Sequence, residues 1–264
     1  MKLFLQTALI TSILLFSQIA NAAPVGTTPD TRPASPQQRQ KWDTQGLSFQ
    51  LGGNYFKGNV NLLNISSSLS YNYNLGQNQF FVDIGNIFTR SGSDLTNLIA
   101  NRINGTFLYA YNASNNLNVY YYMSHSHDDS VRLNYRLTNG AGVCIHRFAD
   151  NIFKVFLVSL GVAVENEFYK DSPNELNIRS VLRLTGTYPL SNVLDFGFDT
   201  FYMPVINNFS DYRLYGEGFL DLKVIEDTLK LKLSVANDYD SKPLDGIKNN
   251  DFGVFLTTTL NIGY

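Results

Sequence analysis

Two of the chain's three histidines fall within Ser124-His125-Ser126-His127-Asp128-Asp129. In an extended segment residues two apart point the same way, so His125 and His127 could hold a metal ion on one strand face. Asp128 or Asp129 would complete the ligand set. The same residue types at the rim of a barrel would also suit a hydrolase acting on lipid or peptide. Against both readings, the stretch sits at an expected loop, where polar residues gather anyway. His146 falls at the far end of the next strand, and no glycine-flanked serine marks a nucleophile. The expectation is a solvated turn, with no catalytic residue, no metal site and no cofactor.

A second set of chemistry-bearing residues is spread along the chain. Folding each expected hairpin about the middle of its turn brings opposite charges together on one strand face. Asp83 then meets Arg102, Glu165 meets Arg179, Arg183 meets Asp199, and Asp221 meets Lys230. Ionised groups inside a barrel need partners or water. Paired in this way they would crosslink a narrow lumen and leave it weakly charge-selective, because the signs cancel. The alternative is a simply wet lumen in which the pairing is accidental.

The elements that must position these groups are strands. Period-two alternation recurs: Leu229, Leu231, Leu233 and Val235 oppose Lys230, Lys232 and Ser234. Val131, Leu133, Tyr135 and Leu137 oppose Arg132, Asn134 and Arg136. Turn clusters divide the chain into twelve strands: 46–57, 60–74, 78–91, 95–112, 116–127, 131–146, 152–168, 175–189, 192–205, 210–224, 228–239 and 250–264. The last strand runs to an aromatic end, with Leu260, Ile262 and Tyr264 on its apolar face, where a barrel assembly signal is expected. Tyr71, Tyr73, Tyr109, Tyr111, Tyr188, Tyr202 and Tyr212 lie near strand ends, as an aromatic girdle requires. The fold class this predicts is all-β: a twelve-stranded, antiparallel, up-and-down transmembrane β-barrel. A soluble barrel of that girth would be hard to fill with side chains.

Composition and the N-terminus agree. Residues 1–22 carry Lys2, an apolar core and Ala20-Asn21-Ala22, which read as a cleaved signal peptide. Residues 23–45, rich in Pro, Thr and Gln, read as a flexible leader, and 46–264 as the barrel. No apolar run after residue 22 approaches the roughly 18 residues of a spanning helix. The formal charge of −2 gives no reason to propose nucleic acid. The one cysteine, Cys144, has no partner for an internal disulfide and reads as an inert lumen residue. The expected location is the bacterial outer membrane, and the expected partners are its lipid, the barrel assembly machinery and small solutes. The longest connection expected on the side away from the termini, 239–250, argues against a loop folded inward as a constriction.

Short segments along the chain resemble domain of unknown function 481, a family that includes salt-induced outer-membrane proteins. They are Gly58-Asn59, Asn101-Arg102, Asp129 with Leu133-Asn134-Tyr135-Arg136, and Gly140 with Gly142. Glu165 to Phe168, Ser210-Asp211-Tyr212-Arg213 and Tyr239-Asp240-Ser241-Lys242-Pro243 complete the set. Cys144-Ile145-His146 stands where the family usually has a third glycine and an aromatic. The resemblance implies an outer-membrane barrel with a role in envelope stress, and supplies no catalytic residues. The reading of the chain as a whole is a narrow passive pore or an envelope-supporting barrel; the alternative is an outer-membrane hydrolase using His125, His127, Asp128 and Asp129.

Overall fold

The computed structural model describes residues 46–56, 62–91, 97–114, 116–145, 153–225 and 228–263. The expected signal peptide and leader, His146 and Tyr264 lie outside them. The strands are β1 (Gly46–Phe56), β2 (Leu62–Leu75), β3 (Asn78–Ser91), β4 (Asn97–Ser114), β5 (Leu117–Asp128) and β6 (Leu133–Ile145). They continue with β7 (Val155–Tyr169), β8 (Glu175–Pro189), β9 (Leu194–Val205), β10 (Asn208–Ile225), β11 (Leu229–Asp240) and β12 (Asn250–Gly263). Each pairs antiparallel with its chain neighbours and β12 pairs with the first half of β1, so the sheet is a meander closed into a barrel. Both ends of the described chain lie at one rim, called here the terminus end; the opposite rim is the loop end.

Alternation decides which face is which. Every strand turns large apolar residues outward, among them Leu69, Ile84, Leu160, Ile178, Phe196 and Ile262, each about half exposed. A water-soluble domain rarely leaves such a continuous apolar belt uncovered. Tyr71, Tyr73, Tyr111 and Tyr188 stand in this outer surface near strand ends, and Tyr202, Tyr212 and Tyr239 pack in a row with ring centres 5.5 and 5.7 Å apart. The opposite parity enters the barrel.

Turns are tight where their chemistry allows. Gly76, with φ of 60°, and Gln77 form the two-residue link from β2 to β3, which needs a left-handed backbone. The expected outward parity of Leu133 fails. A register shift between Leu133 and Tyr135 turns Leu133 inward, where it is fully buried, while Tyr135 stays outside.

Candidate functional site: the barrel interior

His125 and His127 share one face of β5, but it is the outer face. The His125 ring packs on Tyr135, with centres 5.5 Å apart. His127 sets Nδ1 2.7 Å from the Asn134 carbonyl oxygen and Nε2 3.2 Å from Asp129. Asp128 points the other way, into the barrel, accepting from the Arg102 Nε at 2.7 Å and capping a single 3-10 turn (Asp129–Val131) through the Ser130 N–H at 2.9 Å. The barrel wall therefore separates the histidines from Asp128, and no rim site is assembled. Among the described residues no three His, Cys, Asp or Glu side chains converge to hold a metal. Asp129 sits in the turn and takes the Lys170 ammonium at 2.5 Å. That hydrogen bond holds its carboxyl below the usual range, with partial burial opposing and the His127 ring assisting.

The expected lumen charges divide into two groups. Glu165 and Arg179 lie 3.0 Å apart, and Arg183 Nε is 2.7 Å from Asp199, which also accepts from Thr185 at 2.9 Å. Neither pair is directly opposite: Glu165 faces Asn177 in register and Asp199 faces Thr185. The long arginines reach diagonally to the next row. The other two expected pairs are corrected. Asp83 faces Thr106, and Arg102, opposite Ile87 on β3, bonds to Asp128 on β5 instead. Asp221 faces Lys232, and Lys230 faces Lys223, because a bulge between Lys223 and Ile225 slips the register.

Near the loop end the charges gather into a cluster that hairpin folding does not reveal. Arg213 of β10 reaches across the interior to Glu165 at 2.6 Å and Glu167 at 2.9 Å, both on β7. Its Nε also lies 3.2 Å from Asp240 of β11. Arg136 of β6 donates to Glu167 from Nε at 2.7 Å, and Tyr169 donates to the same carboxylate at 3.0 Å. Arg179 of β8 bonds Glu165 and, at 3.2 Å, Asp211. The two glutamates are 1% exposed and the three arginines 2–3%, so none relies on bulk water. β7 and β10 are three strands apart, and this contact shows that the cross-section is narrow here.

The same arginine repairs the wall. Between the pairs Arg179↔Val205 and Leu182↔Tyr202 the β8–β9 ladder is interrupted beside Pro204, which has no N–H to give. Arg179 Nη1 donates to the carbonyl of Met203, 3.2 Å away, satisfying an acceptor left in the gap.

Toward mid-barrel the side of β4 to β10 is packed solid. Leu108, Tyr120, Tyr122, Phe201, Met203 and Tyr215 form a buried apolar core inside the barrel, with Phe201 stacked on Tyr215 at 5.3 Å. Tyr122 fits because Gly140 lies beneath its ring; a Cβ there would sit 2.2 Å from Cε1. Cys144 is fully buried in this core. The opposite side differs. Gln50, Ser66, Ser68, Asp83, Lys230 and Thr257, on β1, β2, β3, β11 and β12, face inward but stay partly accessible. Other inward side chains of these same strands, among them Ser48, Ser70, Asn72, Gln79, Ser234 and Thr259, are buried, so the accessible part of the lumen is a limited patch on this side.

The loop end is partly covered, contrary to expectation. Residues 241–249 link β11 to β12, and β5–β6 is the hairpin diametrically opposite in the ring. Arg132 of that hairpin, in the left-handed conformation with φ of 58°, nevertheless donates from Nη2 to the Asp245 carbonyl at 2.5 Å. The 241–249 segment thus straps over the mouth.

A closed, twelve-stranded antiparallel barrel with an apolar exterior and a polar, ion-paired interior is the class defined by this geometry. The profile of the family described as "Protein of unknown function, DUF481" matches residues 49–264, and the chain belongs to that family. No curated protein matches the sequence. Among solved structures, the barrel is similar to one titled "NanC porin structure in rhombohedral crystal form", at 9% identity and a TM-score of 0.51, covering 82% of this chain and 100% of that one. It is also similar to the COG4313 outer membrane channel from Pseudomonas putida F1, at 11% identity and a TM-score of 0.51, covering 93% and 98%. At these identities the likeness is one of fold.

Proposed function

We propose that this chain resides in the outer membrane as a narrow, passive pore for small polar solutes. The observation that carries the reading is the uneven interior: a solid core on the side of β4 to β10, and on β11, β12, β1, β2 and β3 a patch of polar side chains, Gln50, Ser66, Ser68, Asp83, Lys230 and Thr257, that stays partly accessible. The apolar belt supports a bilayer around the barrel, and the porin and channel folds it resembles are consistent with conduction. An off-axis path of this kind admits only small molecules. Its mixed signs, with Asp83, Asp221, Lys230 and Lys232 all facing inward, favour weak charge selection. His125 and His127 lie on the outer face, away from Asp128, so nothing specific favours a hydrolase.

Its partners on this reading are outer-membrane lipid and, through Leu260, Ile262 and Tyr264 of the closing strand, the barrel assembly machinery. Single-channel recording of the refolded protein is the test. Small, discrete, weakly selective steps are expected. Lys230, which has no carboxylate partner among the described residues, provides the control: Lys230→Glu should shift the preference towards cations. Absence of any step above baseline would overturn the pore and leave an occluded, envelope-supporting wall.

A further inference from the structure

The ladder that closes the barrel is the shortest in it. Among the described residues β1 and β12 pair only from Gly46↔Gly263 to Gly52↔Thr257. Beyond that point residues 53–56 pair with β2 alone and residues 250–256 with β11 alone. The seam is therefore closed toward the terminus end and parted toward the loop end. The parting begins within the apolar belt, since Ile65, opposite Gly53, and Val254 of β12 are both exposed on the outer surface. In hydrocarbon, unpaired strand edges are tolerated only where they border protein or a water-filled cavity. Here the cavity is the wet side of the lumen.

Just inside the parted seam that lumen turns apolar. Phe219, Ser234 and Phe255 form one cross-strand row on β10, β11 and β12. Phe219 lies over Gly197 and Phe255 over Gly253, at positions a Cβ would occupy. Ser234 is buried, yet Phe255 is 36% exposed on the inner face. An accessible phenylalanine does nothing for a polar solute. One row toward the terminus end, Lys232 sets Nζ 4.1 Å from the centre of the Phe219 ring and 2.7 Å from Glu217, and Lys230 stands one row further. Apolar surface, the parted seam and the ammonium groups of Lys232, paired with Glu217, and of Lys230 thus lie together beside β10 to β12. The strap over the mouth leaves this side passage as an exit at the loop end.

We infer that the parted half of the β1–β12 seam is a lateral portal for small amphipathic carboxylates, which pass through it between the lumen and the bilayer. The apolar body lies against Phe255 and Phe219, and the anionic head is drawn to Lys230, one row beyond the Lys232–Glu217 pair. Continuing the register sets Tyr55 across from Val254, so Tyr55→Cys with Val254→Cys, in a Cys144→Ser background, staples the opening when oxidised. Cells expressing this protein are given decanoate as the probe and glucose as a neutral hydrophilic control. Oxidation should abolish the barrel-dependent uptake of decanoate, reduction should restore it, and glucose flux should not change. Lys230→Gln with Lys232→Gln should lower decanoate uptake and spare decanol. Decanoate uptake that is equal in the oxidised and reduced protein would overturn the portal, whereas loss of glucose flux alone would count only against the pore. Should the pair fail to assemble or to bridge, Phe255→Trp in a Trp42→Phe background is reconstituted in lipids brominated on their acyl chains. Quenching should exceed that of Phe219→Trp, two strands from the seam at the same level. Equal quenching at the two positions would overturn the portal as well.

Discussion

Arg183 and Asp199 are buried together, with Thr185 sharing the carboxylate. Two ions taken out of water gain little net from each other, but leaving one behind is expensive. Arg183→Ala should therefore destabilise the barrel by about 3–5 kcal/mol, the cost of stranding a buried charge. Arg183→Met with Asp199→Leu should cost less than the single change. Urea unfolding in lipid vesicles measures both, and a double variant no better than the single would count against the argument. Asp129 is the contrasting case, because its ion pair with Lys170 is exposed. Its pKa is depressed in the folded state, so its contribution is fully present above the unfolded value, about 3.9. That contribution is lost as pH falls through the lower folded value. Asp129→Asn should lower stability at pH 7 by no more than about 1 kcal/mol, given its exposure. The gap between the two melting curves should close in strong acid. A gap that widened on acidification would show that the carboxyl has no such role.

At the scale of the element, strands were readable because period two writes itself into the residues: the alternation on β11 names both of its faces. Register was not readable, because it depends on bulges that leave no comparable trace. Asp83–Arg102 failed because β3 and β4 pair four residues away from that register, with Asp83 at Thr106 and Arg102 at Ile87, and Asp221–Lys230 failed on the bulge before Ile225. Glu165–Arg179 and Arg183–Asp199 are close despite the same kind of slip, since an arginine spans the diagonal to the next row. The cluster around Glu167 was out of reach for another reason. It joins β7 to β10, and folding adjacent hairpins never compares strands three apart. One signal did exist: Arg136, Glu165, Glu167, Asp211, Arg213 and Asp240 all fall in the segments that carried the family resemblance. The strap was missed because loop length alone does not say where a loop lies. It is held to the far rim by the Arg132–Asp245 hydrogen bond, from a residue in a backbone conformation that non-glycine residues rarely adopt. Arg132→Ala should free 241–249, raising conductance and hastening cleavage of intact cells' barrel within that loop by an added protease. Unchanged conductance and an unchanged cleavage rate would mean the strap does not obstruct the mouth.

For the whole molecule, stability is unevenly placed. β6 to β10 share a buried ionic cluster and an apolar core, whereas β12 and β1 share a short ladder and face the wet side. Amide exchange should therefore be slowest in β6 to β10 and fastest along residues 250–256 and 53–56. Uniform protection around the ring would contradict this division. The cluster also dictates an order of events in time. Glu165 and Glu167 of β7 have no adequate counter-charge until β6, β8 and β10 are beside them. If β7 entered the bilayer ahead of those neighbours, two bare carboxylates would face hydrocarbon. The central strands must therefore meet before insertion and enter as one unit, and the thinly paired β1–β12 seam is left as the last join to be made.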